Sequence, residues 1–147
     1  MTDAAEMIKL YSGKLLSLAG NMPLTDPIDD PQGHAFKRSP LCGSNVSVSL
    51  NVKDGTISEF FMDVKACTLG QSAASIFAKH AVGLDDLTVK KGRDQLFDML
   101  TKDGPIPDAP FEDLKYLEPA RSYTNRHASI LLIFEATLAA LEQAQNA

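Results

Sequence analysis

Cysteine is scarce in this chain, with two residues in 147, and tryptophan is absent. Two cysteines cannot build a disulfide framework. Long apolar runs are missing too. The longest, Ala128 to Leu141, is broken by Ser129, Glu135 and Thr137. It is too short to span ~30 Å of hydrocarbon. There is no glycine-rich phosphate loop, no nucleophile elbow and no metalloprotease pair of histidines. Positive charge is not in excess: the net charge is −5, and the lysines and arginines are scattered. That excludes nucleic acid or an anionic membrane as the main partner. Asp3, Glu6 and Lys9 stand where a signal peptide would carry a basic start and then an apolar run. These absences together predict a cytoplasmic protein in a reducing compartment. There, paired thiols read as metal ligands or reactive sulfur.

What is present suffices for a core. Hydrophobic residues make up 44% of the chain. The length suits one domain over residues 1–147. Ile8, Tyr11, Leu15 and Leu18 recur at helical steps, so Asp3 to Ala19 is read as an amphipathic helix ended by Gly20 and Asn21. The Pro- and Asp-rich stretch from Pro23 to Gly33 reads as a surface loop, and His34 to Arg38 as a short edge strand. Val46, Val48, Leu50 and Val52 alternate with polar residues, the mark of a half-buried strand. Asp54-Gly55 turns it into a second strand, Thr56 to Lys65. A plain two-residue loop would set Val48 opposite Phe61. A glycine bulge would set Val48 opposite Phe60 and Val46 opposite Met62, and this register is preferred because it buries more. Carried past the open end of the hairpin, it brings Cys42 level with residue 66 or 67.

Beyond Cys67 the pattern is helical. Thr68 to Gln71 has the spacing of a capping box, and Ala73, Ile76, Phe77 and His80 form a stripe. Thr88 is read as the cap of a helix reaching Lys102, with Leu96, Phe97 and Leu100 inward. Gly92 weakens that helix by about 1 kcal/mol. Gly104 to Pro110 is a linker, Phe111 to Leu117 a short helical turn, and His127 to Ala144 a long last helix.

Three residues carry candidate chemistry. Cys67 stands between strand and helix, beside unpaired N–H groups and the positive end of a helix dipole. Such a place favours the thiolate, the form that binds metals and attacks sulfur. Cys42 lies in Ser39-Pro40-Leu41-Cys42-Gly43-Ser44, where Pro40 stiffens the loop and Gly43 lets it turn. Free cysteines are often no more than small buried hydrophobes. The expected convergence of Cys42 and Cys67 at one end of a sheet favours ligation. His127 is expected at a helix start, which disfavours imidazolium and leaves the neutral ring a metal needs. By periodicity alone, His127 reads as a surface or capping residue. Arg126 beside it either attracts anionic sulfur species or is solvated. His34 and His80 are read as structural.

The two cysteine segments resemble a known family. Ser39 to Ser44 is similar to the Pro-x-Cys-Gly-Asp loop of the U-type iron–sulfur scaffolds, the IscU and SufU proteins and the N-terminal domain of NifU. Ala66-Cys67-Thr68-Leu69-Gly70-Gln71-Ser72-Ala73-Ala74-Ser75 resembles their Gly-Cys-Ala-Ile-Ser-x-Ala-Ser-Ala-Ser segment. Arg126-His127-Ala128-Ser129-Ile130-Leu131 resembles the start of their last helix. The resemblance implies an α+β fold, with a small three-stranded antiparallel sheet packed by helices. It implies a scaffold or carrier, not an enzyme. Such a protein takes sulfur from a cysteine desulfurase, holds iron or a [2Fe–2S] cluster, and passes the cluster to recipient apoproteins. Cys42, Cys67 and His127 would be the ligands and Cys67 the persulfide acceptor. Two family positions differ: the loop aspartate is Ser44, and the third cysteine falls to Ala128 or Ser129. Three ligands leave one coordination position open for water, a small thiol, a partner protein or Asp63. Weaker cluster binding follows, and a cluster bridging a homodimer would suit so few ligands. The alternatives are a zinc-containing sulfurtransferase partner of a desulfurase, and a paralogue that lost its metal and became an interaction module.

Overall fold

The computed structural model describes residues 13–40 and 43–146. The expected helix over residues 3–19 therefore falls partly outside the described residues. Its described part, α1 (Gly13–Gly20), buries Leu15 and Leu18. Three strands follow: β1 (Gly33–Arg38), β2 (Asn45–Lys53) and β3 (Thr56–Lys65). They form one antiparallel sheet in the order β1-β2-β3. Then come α2 (Thr68–Ala78), α3 (Asp86–Thr101), 3-10 segments at Glu112–Ser122 and Thr124–Arg126, and α4 (His127–Gln145). The fold is the expected α+β arrangement of a three-stranded antiparallel sheet packed by helices, with a long C-terminal helix.

The hairpin corrects the preferred register. Lys53 pairs with Thr56 and Val52 with Ile57, so the tip is a plain two-residue loop. Asp54 and Gly55 take the positive φ values, 56° and 81°, that such a loop demands. An irregularity then falls between Asn51 and Val52, where β3 spends an extra residue, Ser58. Beyond it Leu50 faces Phe60, Val48 faces Met62 and Asn45 faces Lys65. The bulge thus sits inside β3 and shifts the pairing opposite to the expected direction. Its physical gain is that Val46, Val48, Leu50, Phe60 and Met62 all reach the buried face.

Helix α4 lies across β1 and β2 and also touches α2 and α3. A helix enclosed on this many sides has no polar stripe. Its residues from Ser129 to Phe134 are all buried. Close approach to the sheet depends on Gly33: a methyl there would collide with the Ala140 carbonyl. Between α2, α3 and α4 sits an aromatic cluster. The Phe77 ring lies 5.0 Å from Phe134, 5.8 Å from Phe111 and 5.7 Å from Phe60. Each such pair adds about 0.5–1.5 kcal/mol beyond its area burial.

Two expected caps move. Helix α3 is capped by Asp85, whose carboxylate accepts from the Thr88 backbone N–H at 2.8 Å. Helix α2 is preceded by Cys67 in extended conformation, with no side-chain cap bond, so Thr68 is already inside it. His80 falls beyond the end of α2 and is exposed, outside the expected stripe. Phe97 is only partly buried. The Arg93 guanidinium lies 5.1 Å from its ring.

Gly92 costs helix propensity for a packing reason. A methyl at this position would meet Phe111 ring atoms at 2.5 Å and Phe134 at 3.0 Å. Phe111 is wedged against Phe77 and Phe134 and cannot retreat. Gly92→Ala is therefore expected to destabilise the fold by about 1–3 kcal/mol despite its better helix propensity. Urea melts showing equal or higher stability would contradict this. At the α3 cap, the Thr88 side chain and then its backbone N–H hold the Asp85 carboxyl below the ordinary carboxylate range. A depressed pKa contributes stability above the unfolded-state value and loses it as pH falls through the folded one. Asp85→Ala should be less stable than the parent near neutrality. The gap should close as the solution is acidified through that range, as read by thermal melts across pH.

Candidate functional site

The candidate site lies at the open end of the sheet. Arg38, Asn45 and Lys65 form the last paired row of the three strands. Past that row the chain between β1 and β2 is tied off by its own backbone. The Ser39 N–H donates to the Ser44 carbonyl at 2.8 Å, and the Gly43 N–H donates to the Ser39 carbonyl at 3.1 Å. Gly43 adopts φ +72°, a conformation that suits glycine. Two residues beyond β3 stands Cys67, half-buried, immediately ahead of α2.

The first turn of α4 joins these two segments. The buried Ser129 hydroxyl donates to Ser44 Oγ at 3.0 Å. Its oxygen also lies 3.5 Å from Cys67 Sγ. A serine has one hydroxyl proton. With that proton on Ser44, the Ser129 oxygen accepts from the Cys67 thiol. If Cys67 instead presents a thiolate, the same hydroxyl is placed to turn and donate to sulfur. Gly70 makes this approach possible, because a methyl there would lie 2.6 Å from Ser129 Oγ and 2.9 Å from the Ala66 methyl.

His127 is the first residue of α4 and is buried. Its Nε2 lies 2.9 Å from the Ala120 carbonyl oxygen. A carbonyl only accepts, so Nε2 carries the proton. In the neutral ring the lone pair then sits on Nδ1. A ring fixed through one N–H to a backbone carbonyl, with the other nitrogen bare, is the tautomer that metal-ligating histidines use.

Of the three predicted site residues, the structure places Cys67 beside Ser129, whereas the His127 ring is turned to the Ala120 carbonyl, and residues two apart on a helix, as His127 and Ser129 are, do not share a face. Cys42 lies outside the described residues. Among the described residues, no three His, Cys, Asp or Glu side chains gather in a group able to hold a metal ion. Asp63, the suggested fourth ligand, is exposed in β3 opposite Ser47. His34 bonds Ser49 Oγ at 2.8 Å in the sheet, the structural role expected of it. The two candidate places for a third cysteine are now distinct. Ser129 faces inward onto Cys67 and Ser44, whereas Ala128 borders an open cavity with Pro40. Sequence reasoning missed the Ser129–Ser44 bond, and its one available signal was a serine at the start of an otherwise apolar run.

No family model matches the chain, and no curated protein matches it. Among solved structures, the chain is similar to the N-terminal part of a nitrogen-fixing NifU-like protein from Brucella abortus. The identity is 38% and the TM-score 0.92, over 96% of this chain and 98% of that one. A putative iron–sulfur cluster assembly scaffold protein for the SUF system from the thermophile Fervidobacterium islandicum AW-1 shares the fold. It matches at TM-score 0.78 and 14% identity, over 91% of this chain and 98% of that one. A hypothetical protein solved at 2.3 Å does so at TM-score 0.71 and 16% identity, over 92% and 98% of the respective chains. With 38% identity to the Brucella abortus protein across nearly its whole length, the chain belongs to the family of U-type scaffolds that includes the NifU-like N-terminal domains.

Proposed function

We propose that this protein is a scaffold or carrier in iron–sulfur cluster assembly. Iron or a [2Fe–2S] cluster is its cargo, held by Cys42, Cys67 and His127. The observation that carries the reading is the placement of Cys67 against the first turn of α4, through Ser129, in a member of the NifU-like family. Thiolate sulfur and neutral imidazole are donors that suit iron and iron–sulfur clusters. The Nε2–H bond to the Ala120 carbonyl supports the Nδ1 lone pair as the nitrogen donor. Cys67 is the sulfur acceptor in this reading, since it is half-exposed ahead of α2. A cysteine desulfurase donates the sulfur, and recipient apoproteins take the cluster. The site binds and hands on, with no turnover chemistry of its own.

The ligand count sets the strength of binding. Clusters and closed zinc sites take four ligands. This chain offers three, one of them nitrogen. The cargo is therefore held more weakly than by four protein ligands, which suits a carrier that must let go.

Anaerobic purification with iron, zinc and acid-labile sulfide quantified tests the reading. The parent protein should carry iron and sulfide. Cys42→Ala, Cys67→Ala and His127→Ala should each weaken metal binding by roughly tenfold or more. Zinc without sulfide would replace this reading with that of a zinc-containing sulfurtransferase partner. Cysteine variants that lose neither metal nor function would leave an interaction module. A tightly held, stoichiometric cluster in the isolated monomer would contradict the three-ligand account.

A further inference from the structure

The Ser129 hydroxyl points away from its own helix. Helical serines and threonines commonly bond back to a carbonyl one turn earlier. Ser72 does so at the Thr68 carbonyl, at 2.8 Å, and Thr101 at the Phe97 carbonyl, at 2.7 Å. Ser129 instead reaches across to two other segments, Ser44 Oγ at 3.0 Å and Cys67 Sγ at 3.5 Å. A structural tie to the β1–β2 loop needs only the first of these contacts. The second sets a hydroxyl against a sulfur at the start of α2, where the positive end of the helix dipole also lies. Ser129 and Ser44 are 1% and 4% exposed, so bulk water competes little for that hydroxyl. A methyl at Gly70 would lie 2.6 Å from Ser129 Oγ, so glycine there leaves the hydroxyl its room.

We propose that Ser129 is a leaving-group donor for Cys67: its hydroxyl stabilises the negative charge that collects on Sγ when sulfur carried there as a persulfide is handed on. The inference rests on the reading of Cys67 as the sulfur acceptor. In the step, a nucleophile attacks the outer sulfur of the persulfide. Its bond to that sulfur forms as the bond from Sγ to the outer sulfur breaks, and the electron pair of the broken bond stays on Sγ. The nucleophile is oxidised by gaining a sulfur atom, the persulfide is reduced to the thiol, and solvent returns the proton to Sγ. A persulfide has no proton on Sγ, so the thiol's bond to the Ser129 oxygen is gone while sulfur is carried. The single Ser129 proton then turns from Ser44 to Sγ as charge appears there. A donor already in place where charge develops, in a site poor in water, needs no reorganisation during the step. Ser44 is the resting acceptor of this proton and competes with the sulfur for it.

The test uses the whole 147-residue chain, free of metal and oxygen, with Cys42→Ser so that Cys67 is the one thiol left of two. Glutathione persulfide loads Cys67, and cyanide then removes the outer sulfur as thiocyanate, which is quantified against time. Cyanolysis should be about tenfold slower with Ser129→Ala. Ser44→Ala breaks the same tie between α4 and the sheet but removes the competing acceptor. Its cyanolysis should match the parent rate or exceed it by up to about threefold. Capping of the same outer sulfur by iodoacetamide leaves both bonds of Sγ intact. Its rate should differ by less than about twofold among the three proteins, because no charge develops on Sγ.

Equal cyanolysis rates in Ser129→Ala and the parent overturn the inference. An equal loss in Ser44→Ala overturns it as well, since the contact would then be a structural tie and nothing more. A parallel loss of iodoacetamide capping has the same consequence. Those failures leave the proposed function standing. If Cys67 takes up no persulfide sulfur in the parent, the sulfur-accepting part of the proposed function is removed, and this inference with it.

Discussion

A buried hydroxyl contact, Ser129 to Ser44, ties the first turn of α4 to the open end of the sheet. The rest of the candidate site is arranged around it. The helix itself cannot slide, because its flanks are packed by the sheet, by α2 and by α3. Burying a hydroxyl with no partner costs roughly 1–3 kcal/mol. Ser129 avoids that cost by meeting Ser44 and the Cys67 sulfur, whereas the Thr137 hydroxyl, further along the same helix, is buried without a partner. The Ser129 contacts thus link two segments that are far apart in the chain. A wholly apolar residue there would fill the space without imposing that alignment.

Much of this architecture could be read from residues alone. Alternation between Val46 and Val52, the Asp54-Gly55 turn and the apolar run after His127 each report burial on a local scale. The strands and α4 accordingly fall where they are expected. The errors are those of competition between near-equal local signals. Thr88 and Asp85 both suit a helix start, and only the carboxylate–N–H geometry decides for Asp85. The bulge at Ser58 depends on which hairpin face meets the helices, and no local pattern within the hairpin encodes that. Gly92 looks like a weakness in a helix until the Phe111 and Phe134 rings are placed against it.

The site was legible in part. Cys67 announces itself by standing where alternation gives way to helical spacing, and α2 does begin directly after it. His127 was placed at the start of α4, but its tautomer is set by a carbonyl seven residues earlier, in a 3-10 segment that was expected to end sooner. Ser44 and Ser129 read only as departures from a family pattern. Their bond to each other spans 85 residues and becomes visible only when the sheet and α4 are assembled. The cavity that Ala128 and Pro40 border was likewise illegible: Lys37 and Arg38, which also line it, are scattered cations in the sequence until α4 closes one wall.

Gly70 has a final consequence. With α2 already in contact with Ser129 and no side chain to trim, the floor beneath Cys67 cannot deepen. On the proposed reading, an ion or larger inorganic unit on that sulfur would expand toward bulk solvent and away from the protein interior. Growth of such a cargo would make it more accessible, and its departure would need no breach of the hydrophobic centre.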